Sequence, residues 1–256
     1  DVVIDELMAD PDPQIGLPNV EWLELKNISG FDIDLAGWTL AKPSGTSGAM
    51  PSYLLKKDSF VIVCTGSAVA AMSAFGPAIS VTSFPSLGND GDLLYLVSPQ
   101  GSTIHSVIYT SAWYQNTVKA DGGWSLEMMD THNPCSGISN WKASENLSGG
   151  TPGKRNSVEG SNPDQTAPQL LRAYAVDNFN ITLIFDEPIS TVNAAVTANY
   201  TVSDGIGNPV SATAVAPAYN SIQLVLANAL QPGKVYTVTA APGITDCGNN
   251  SVAGIK

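Results

Sequence analysis

The sequence is poor in positive charge, in cysteine and in histidine, and each shortage removes a class of function. Lysine and arginine number 11 against 23 aspartates and glutamates, a formal net charge of −12. A surface of that sign repels phosphate backbones and anionic headgroups, which argues against binding nucleic acid or a membrane surface through a basic face. Charged residues make up only 13 %, against roughly 25 % in an average soluble protein, so Ser, Thr, Asn and Gln must supply the polar surface. No apolar run approaches the roughly 20 residues of a membrane-spanning helix, so membrane insertion is not expected.

The three cysteines, Cys64, Cys135 and Cys247, are far apart. None has the close paired spacing of a zinc site or a redox motif, and at most one disulfide can form. Cys64 ends an apolar strand and reads as a small buried hydrophobe. Cys135 and Cys247 lie in turns of different halves, so a bridge between the halves can form, although no spacing argument supports it. The two histidines, His105 and His132, are the obvious acid–base candidates, yet no nucleophile elbow, zinc signature or phosphate loop accompanies them. His105 falls mid-strand, where alternation suggests a surface or cross-strand position; His132 falls in a turn. The expectation is a chain without catalytic activity.

What is present is strand chemistry. The 256 residues are 43 % hydrophobic, enough for one large domain or two modest ones with packed cores. Almost every apolar segment is short, β-branched or aromatic, and bounded by Gly, Pro, Asn or Asp. Strands are expected over Val2–Met8, Glu21–Asn27, Ile33–Leu40, Phe60–Cys64, Asp92–Val97, Thr103–Tyr109 and Ser125–Met129. A short helix capped by Ser67 is expected through Phe75, with a stop at Gly76. From Gly149 to Pro168 apolar periodicity ceases, which suggests a linker near 150–166. Strand patterns resume at Leu170–Val176, Ile181–Asp186, Asn199–Ser203, Ser211–Ala216, Ile222–Leu226 and Val235–Ala240, a count and length suited to a sandwich.

Several motifs resemble a known family. Val2-Val3-Ile4-Asp5-Glu6-Leu7-Met8, Glu21-Trp22-Leu23-Glu24-Leu25 and Leu35-Ala36-Gly37-Trp38 are followed by Leu87-Gly88-Asn89-Asp90-Gly91-Asp92, Gly122-Gly123-Trp124-Ser125-Leu126-Glu127, Asn140-Trp141 and Gly149-Gly150-Thr151-Pro152-Gly153. Together they resemble a bacterial lamin tail domain over residues 1–157, with Asp5 where asparagine is commoner. Asp164-Gln165-Thr166-Ala167-Pro168, Phe185-Asp186-Glu187-Pro188, Asn199-Tyr200-Thr201-Val202 and Asp246-Cys247-Gly248-Asn249 resemble a bacterial immunoglobulin-like module over 158–256. Only Ser251–Lys256 remains there for the usual last strand, so this module is expected to be cut short. The resemblance implies an all-β chain of two immunoglobulin-like β-sandwiches in tandem. It also implies a non-catalytic structural or adhesive module of an exported or cell-surface protein. The alternative is the accessory region of a secreted calcium-dependent nuclease or phosphatase whose catalytic domain lies outside this chain.

For contacts, Asp10, Asp12, Asp90 and Asp92 could place hard oxygens at sheet ends for calcium, although each also reads as an ordinary turn residue. Asp186, Glu187 and Asp246 invite the same two readings. Glu6 and Glu24 lie in strands and read as partners of backbone amides or of Lys/Arg, not as metal ligands. Trp22, Trp38, Trp124 and Trp141 belong to the sandwich motifs and read as core. Trp113 and Tyr114 fall where the strand pattern needs nothing, and are the preferred contact residues for a protein or glycan partner at the cell surface. No cofactor is required, calcium apart, and a monomer is expected.

Overall fold

The computed structural model describes residues 1–252 and divides into two compact units, Asp1–Asn162 and Pro163–Lys256. In the first, β1 (Val2–Met8), β2 (Trp22–Asn27), β3 (Ile33–Asp34), β4 (Thr39–Lys42), β5 (Gly45–Thr46), β6 (Leu54–Leu55) and β7 (Phe60–Cys64) precede a one-turn helix α1 (Val69–Met72). Then come β8 (Ala78–Ser80), β9 (Gly91–Val97), β10 (Thr103–Thr110), β11 (Leu126–Met128) and β12 (Trp141–Ala143). A six-stranded sheet in the order β12-β11-β1-β2-β7-β8 faces a four-stranded sheet β10-β9-β4-β5. Only the β7–β8 pairing is parallel within these sheets. Leu7, Leu23 and Val63 stand in direct register across β1, β2 and β7 and join the main core with Trp38, Leu94, Val107 and Trp141.

The other face of the six-stranded sheet is the unusual one. In a two-layer sandwich that face ordinarily meets water and alternates polar with apolar, but every residue of β1 and β2 is buried. One cover is apolar: Leu17, Ala68 and Met72 pack on Met8, Trp22, Ile62 and Cys64. The other cover is the stretch expected to be a linker. Residues 149–162 fold back over the sheet and belong to the first unit. Thr151, Gly153, Ser157 and Val158 all donate hydrogen bonds to buried glutamates of the sheet. The Asn156 side-chain amide donates to the Asp5 and Met128 carbonyls at 3.0 and 2.9 Å. Gly153, at φ +77°, passes so close to Gly76 and to the Phe75 carbonyl that a Cβ would lie 2.6 Å from the Gly76 Cα. The boundary expected at 157 therefore moves to 162, because a Gly/Pro/Ser composition here signals close backbone approach and not a free tether.

Two other expectations change. Ile33–Leu40 is not one strand: it divides into β3 and β4 around Gly37 at φ +81°. The helix is only four residues long, and Ser67 does not cap it; its hydroxyl pairs with that of Thr65.

The second unit contains β13 (Leu170–Ala175), β14 (Asn180–Phe185), a short helix α2 (Thr191–Ala194), β15 (Tyr200–Val202), β16 (Ser211–Ala214), β17 (Ser221–Val225) and β18 (Val238–Ala240). Its sheets run β13-β14-β17-β16 and β15-β18. Alternate residues Ile181, Leu183 and Phe185 enter a core with Tyr200, Ile222 and Leu224. The strand expected over Val235–Ala240 is regular only from Val238. The expected remnant of a last strand falls largely on 253–256, outside the described residues.

Candidate functional site

Three strands bring three glutamates side by side on the covered face. Glu6 of β1 stands opposite Glu24 of β2 and opposite Glu127 of β11, and all three are fully buried. Asp5, at the irregularity in the β1–β2 register, is buried beside them. Like charges directly across strands repel, and burial penalises each charged form further. Both effects raise Glu6 and Glu24 well above the usual carboxylate range, burial being the larger and neighbouring carboxylates next. Burial is also the main cause pushing Asp5 up to about 7, with Glu159 and Glu127 adding to it and Lys26 opposing.

Donors from the returning segment and from Ser125 partly offset this cost. Glu6 Oε1 accepts from the Ser125 hydroxyl at 2.5 Å and from the Thr151 amide at 2.8 Å. Glu127 accepts from the Thr151 hydroxyl at 2.9 Å, the Ser157 hydroxyl at 2.8 Å and the Val158 amide at 3.1 Å. Glu24 Oε2 accepts from the Gly153 amide. Both Asp5 carboxyl oxygens and Glu24 Oε1 have no hydrogen-bond partner. These acids hold the segment in place. Glu6 accepts from the Thr151 amide and Glu24 from the Gly153 amide, the kind of partner expected for strand glutamates.

The residues that could hold a metal lie in the second unit. Asp164, Glu187 and Asp246 each bring one carboxylate oxygen within 4.8 Å of the others, the one such group among the described residues. The bridge between Ile189 and Asp246 fixes two of the segments, and Ser190 donates to the Thr245 carbonyl at 2.8 Å. Asn250 orients Asp246, its amide donating to Oδ1 at 2.8 Å and its side chain to Oδ2 at 2.9 Å. Glu187 is raised to about 8 by burial first and then by Asp164, Asp246 and Asp186. Hard, closely spaced oxygens of one sign are the donor set calcium takes. Sequence reading flagged Glu187 and Asp246 as acids to weigh for a metal; Asp164 entered only as part of the Asp164–Pro168 motif, because its convergence with the other two is made by the fold.

The residues singled out for calcium in the first half do not form such a group. Asp10 accepts weakly from the Asp12 amide at 3.3 Å, and Asn19 donates to Asp12 at 3.4 Å. Asp90 is exposed, and its carbonyl accepts from Ser111. Asp92 pairs with Lys42 at 2.6 Å. Among the described residues these four do not come together as a group of three carboxylates close enough to share an ion.

Trp113 and Tyr114 are also corrected. They lie in a 3₁₀ turn, Ser111–Tyr114, that tucks beneath the surface, where they are 9 % and 3 % exposed and belong to the core. The Trp113 ring packs against Trp141 with centroids 6.0 Å apart. Residues this buried offer no stacking platform. Replacing Trp113 with alanine is expected to lower the stability of the first unit by about 3–5 kcal/mol, as for other buried large aromatics, measured by urea denaturation. His105 is likewise buried and not at the surface. Its Nδ1 accepts from the Ile4 amide at 3.0 Å while Nε2 bonds the Pro134 carbonyl at 3.1 Å. Nε2 thus carries the proton, and burial lowers the group to about 4, so the ring is a neutral tie between the two sheets. His132 is exposed beside Asp130.

Residues 1–111 match the model of the Lamin Tail Domain family, and residues 154–256 match that of a Bacterial Ig-like domain. Two solved structures, the N-terminal part of the bacterial S-layer protein SbsC and the S-layer protein rSbsC(31-844), are each 21 % identical over 34 % of this chain, with a TM-score of 0.31. The match takes in 21 % and 12 % of those two chains, a minor part of their length. No curated protein sequence matches the chain.

Proposed function

Because residues 1–111 match the Lamin Tail Domain model and residues 154–256 that of a Bacterial Ig-like domain, we propose that the chain is a non-catalytic structural module of an exported or cell-surface protein. Its finer role is adhesive: the two units present contact surfaces to a protein or glycan partner outside the cell. The observation that supports this most is the covered sheet of the first unit. A segment that lacks apolar periodicity is fastened over four buried acids, so polar groups are spent on fixing one rigid fold. Rigid sandwiches with variable loops serve as scaffolds for contact. The chain acts as a monomer. Incubating it with cell-surface polysaccharide and matrix proteins is expected to retain it in a pull-down. Absence of retention, together with hydrolysis of nucleic acid or phosphate esters by the purified chain, contradicts the reading.

The acidic trio favours a second reading, an accessory region of a secreted calcium-dependent hydrolase. That reading requires calcium to raise the melting temperature of the second unit, and Glu187→Gln to abolish the rise. An unchanged melting temperature in calcium leaves the scaffold reading alone.

A further inference from the structure

The cover over the buried acids is held on mainly by polar contacts. Residues 149–162 carry a single large apolar side chain, Val158, and no residue among them joins either apolar core of the first unit. The ends of the segment are tied down independently of those acids. At one end the Ser125 amide donates to the Gly149 carbonyl at 2.8 Å. At the other, the Gly160 amide donates to the Met129 carbonyl at 3.0 Å, and Asn162 donates through its amide to Asp130 and through its side chain to the Ser139 carbonyl, each at 2.8 Å. Between these anchors the Thr151, Gly153 and Val158 amides end on Glu6, Glu24 and Glu127. Glycines at 149, 150 and 160 sit at the two ends, where a segment that lifts must bend.

We propose that residues 150–159 are a latch that lifts in alkaline solution while the two sheets beneath it stay folded. The groups under the segment decide this. Asp5, Glu6, Glu24 and Glu127 are each buried, and both Asp5 oxygens and Glu24 Oε1 meet no donor. The cations of the region are engaged elsewhere. Lys26, two residues from Glu24 and so on the same face of β2, lies over the Phe60 ring at 5.2 Å; Lys142, opposite Glu127, pairs with Glu145 at 2.7 Å; Arg155 of the segment pairs with Glu159 at 3.2 Å. Glu159 itself adds negative charge towards Asp5. Ionised acids in such a place need water. The sheet cannot move aside to admit it, because its other face is the main apolar core, whereas lifting the segment hydrates the acids and uncovers little apolar surface. While the segment is down, burial above all keeps Glu6 and Glu24 well above the usual carboxylate range and Asp5 at about 7. Hydration returns them towards that range, so the closed form holds protons that the open form has lost. Each such proton makes opening about tenfold easier per pH unit gained, until the closed form loses it too.

The test uses the intact chain. Amide exchange, corrected for the intrinsic effect of pH, is expected to show the protection of Thr151, Gly153 and Val158 falling at least tenfold further than that of β1 and β2 between pH 5 and pH 8.5. Trypsin at pH 8.5 reads the same opening through cleavage after Lys154 and Arg155. Their side chains are already exposed, so access to the backbone of the held segment limits the cut. Glu24→Gln cannot ionise and keeps an acceptor for the Gly153 amide, and is expected to slow that cleavage at least tenfold. Glu6→Gln should slow it as well, and carries the test if the first variant does not fold. Asp58→Asn, in an exposed turn, should leave the rate unchanged. Equal cleavage of the native chain and the folded glutamine variants overturns the latch, as does equal protection of the segment at the two pH values. Protection lost from β1 and β2 in step with the segment also overturns it, since the whole unit would then be what opens.

Discussion

Replacing Asp5 with asparagine is expected to remove much of the pH dependence of the first unit's stability between pH 4 and 7. Asp5 is wholly buried with both oxygens unpartnered, and its pKa is raised from 3.8 to about 7. The folded state therefore holds this proton where the unfolded chain has released it. The resulting contribution is complete below pH 3.8 and disappears as pH rises through 7. A shift of that size corresponds to on the order of 4 kcal/mol. Glu6 and Glu24 act in the same direction, so the native chain should be less stable at pH 8 than at pH 5. Asparagine cannot ionise, and its variant should lose the Asp5 part of that slope. All five tryptophans lie within residues 1–162, so tryptophan fluorescence during urea unfolding reads this unit selectively. An identical slope in the variant and the native chain would show that Asp5 does not titrate in the folded state as its burial requires.

The second large effect concerns the fastening itself. Glu127→Ala is expected to destabilise the first unit by about 3–5 kcal/mol, combining a buried cavity with orphaned donors. The Val158 amide would lose its acceptor, and the Thr151 and Ser157 hydroxyls would lose their shortest one, at once. Glu127→Gln keeps one acceptor oxygen and the volume, and should cost markedly less. Equal losses for the two variants would assign the effect to packing alone.

The strands were legible where one face is buried and the other wet, as over Ile181–Phe185, and where apolar runs are bounded by turn residues, as over Phe60–Cys64. The two-part division was legible as well, from the break in periodicity, but its position was not. Residues 149–162 carry almost no apolar side chains, and their place in the fold is decided by backbone amides reaching Glu6, Glu24 and Glu127 from far along the chain. The lamin tail match itself ends at residue 111, although β11, β12 and this segment complete the same unit. Trp113 and Tyr114 misled for a related reason: a turn outside the strand pattern can still pack inward when an aromatic such as Trp141 awaits it. The Asp164–Glu187–Asp246 trio was visible only as three separate motifs, and their convergence is made by the fold.

The most direct test of the fastened segment is native-state amide hydrogen exchange on the intact chain at pH 5. The Thr151, Gly153 and Val158 amides, which donate to Glu6, Glu24 and Glu127, should exchange as slowly as those of β1 and β2, opening only with the whole unit. Exchange of these three at the rate of an exposed loop, while β1 and β2 stay protected, would mean that residues 149–162 are the tether their composition suggests.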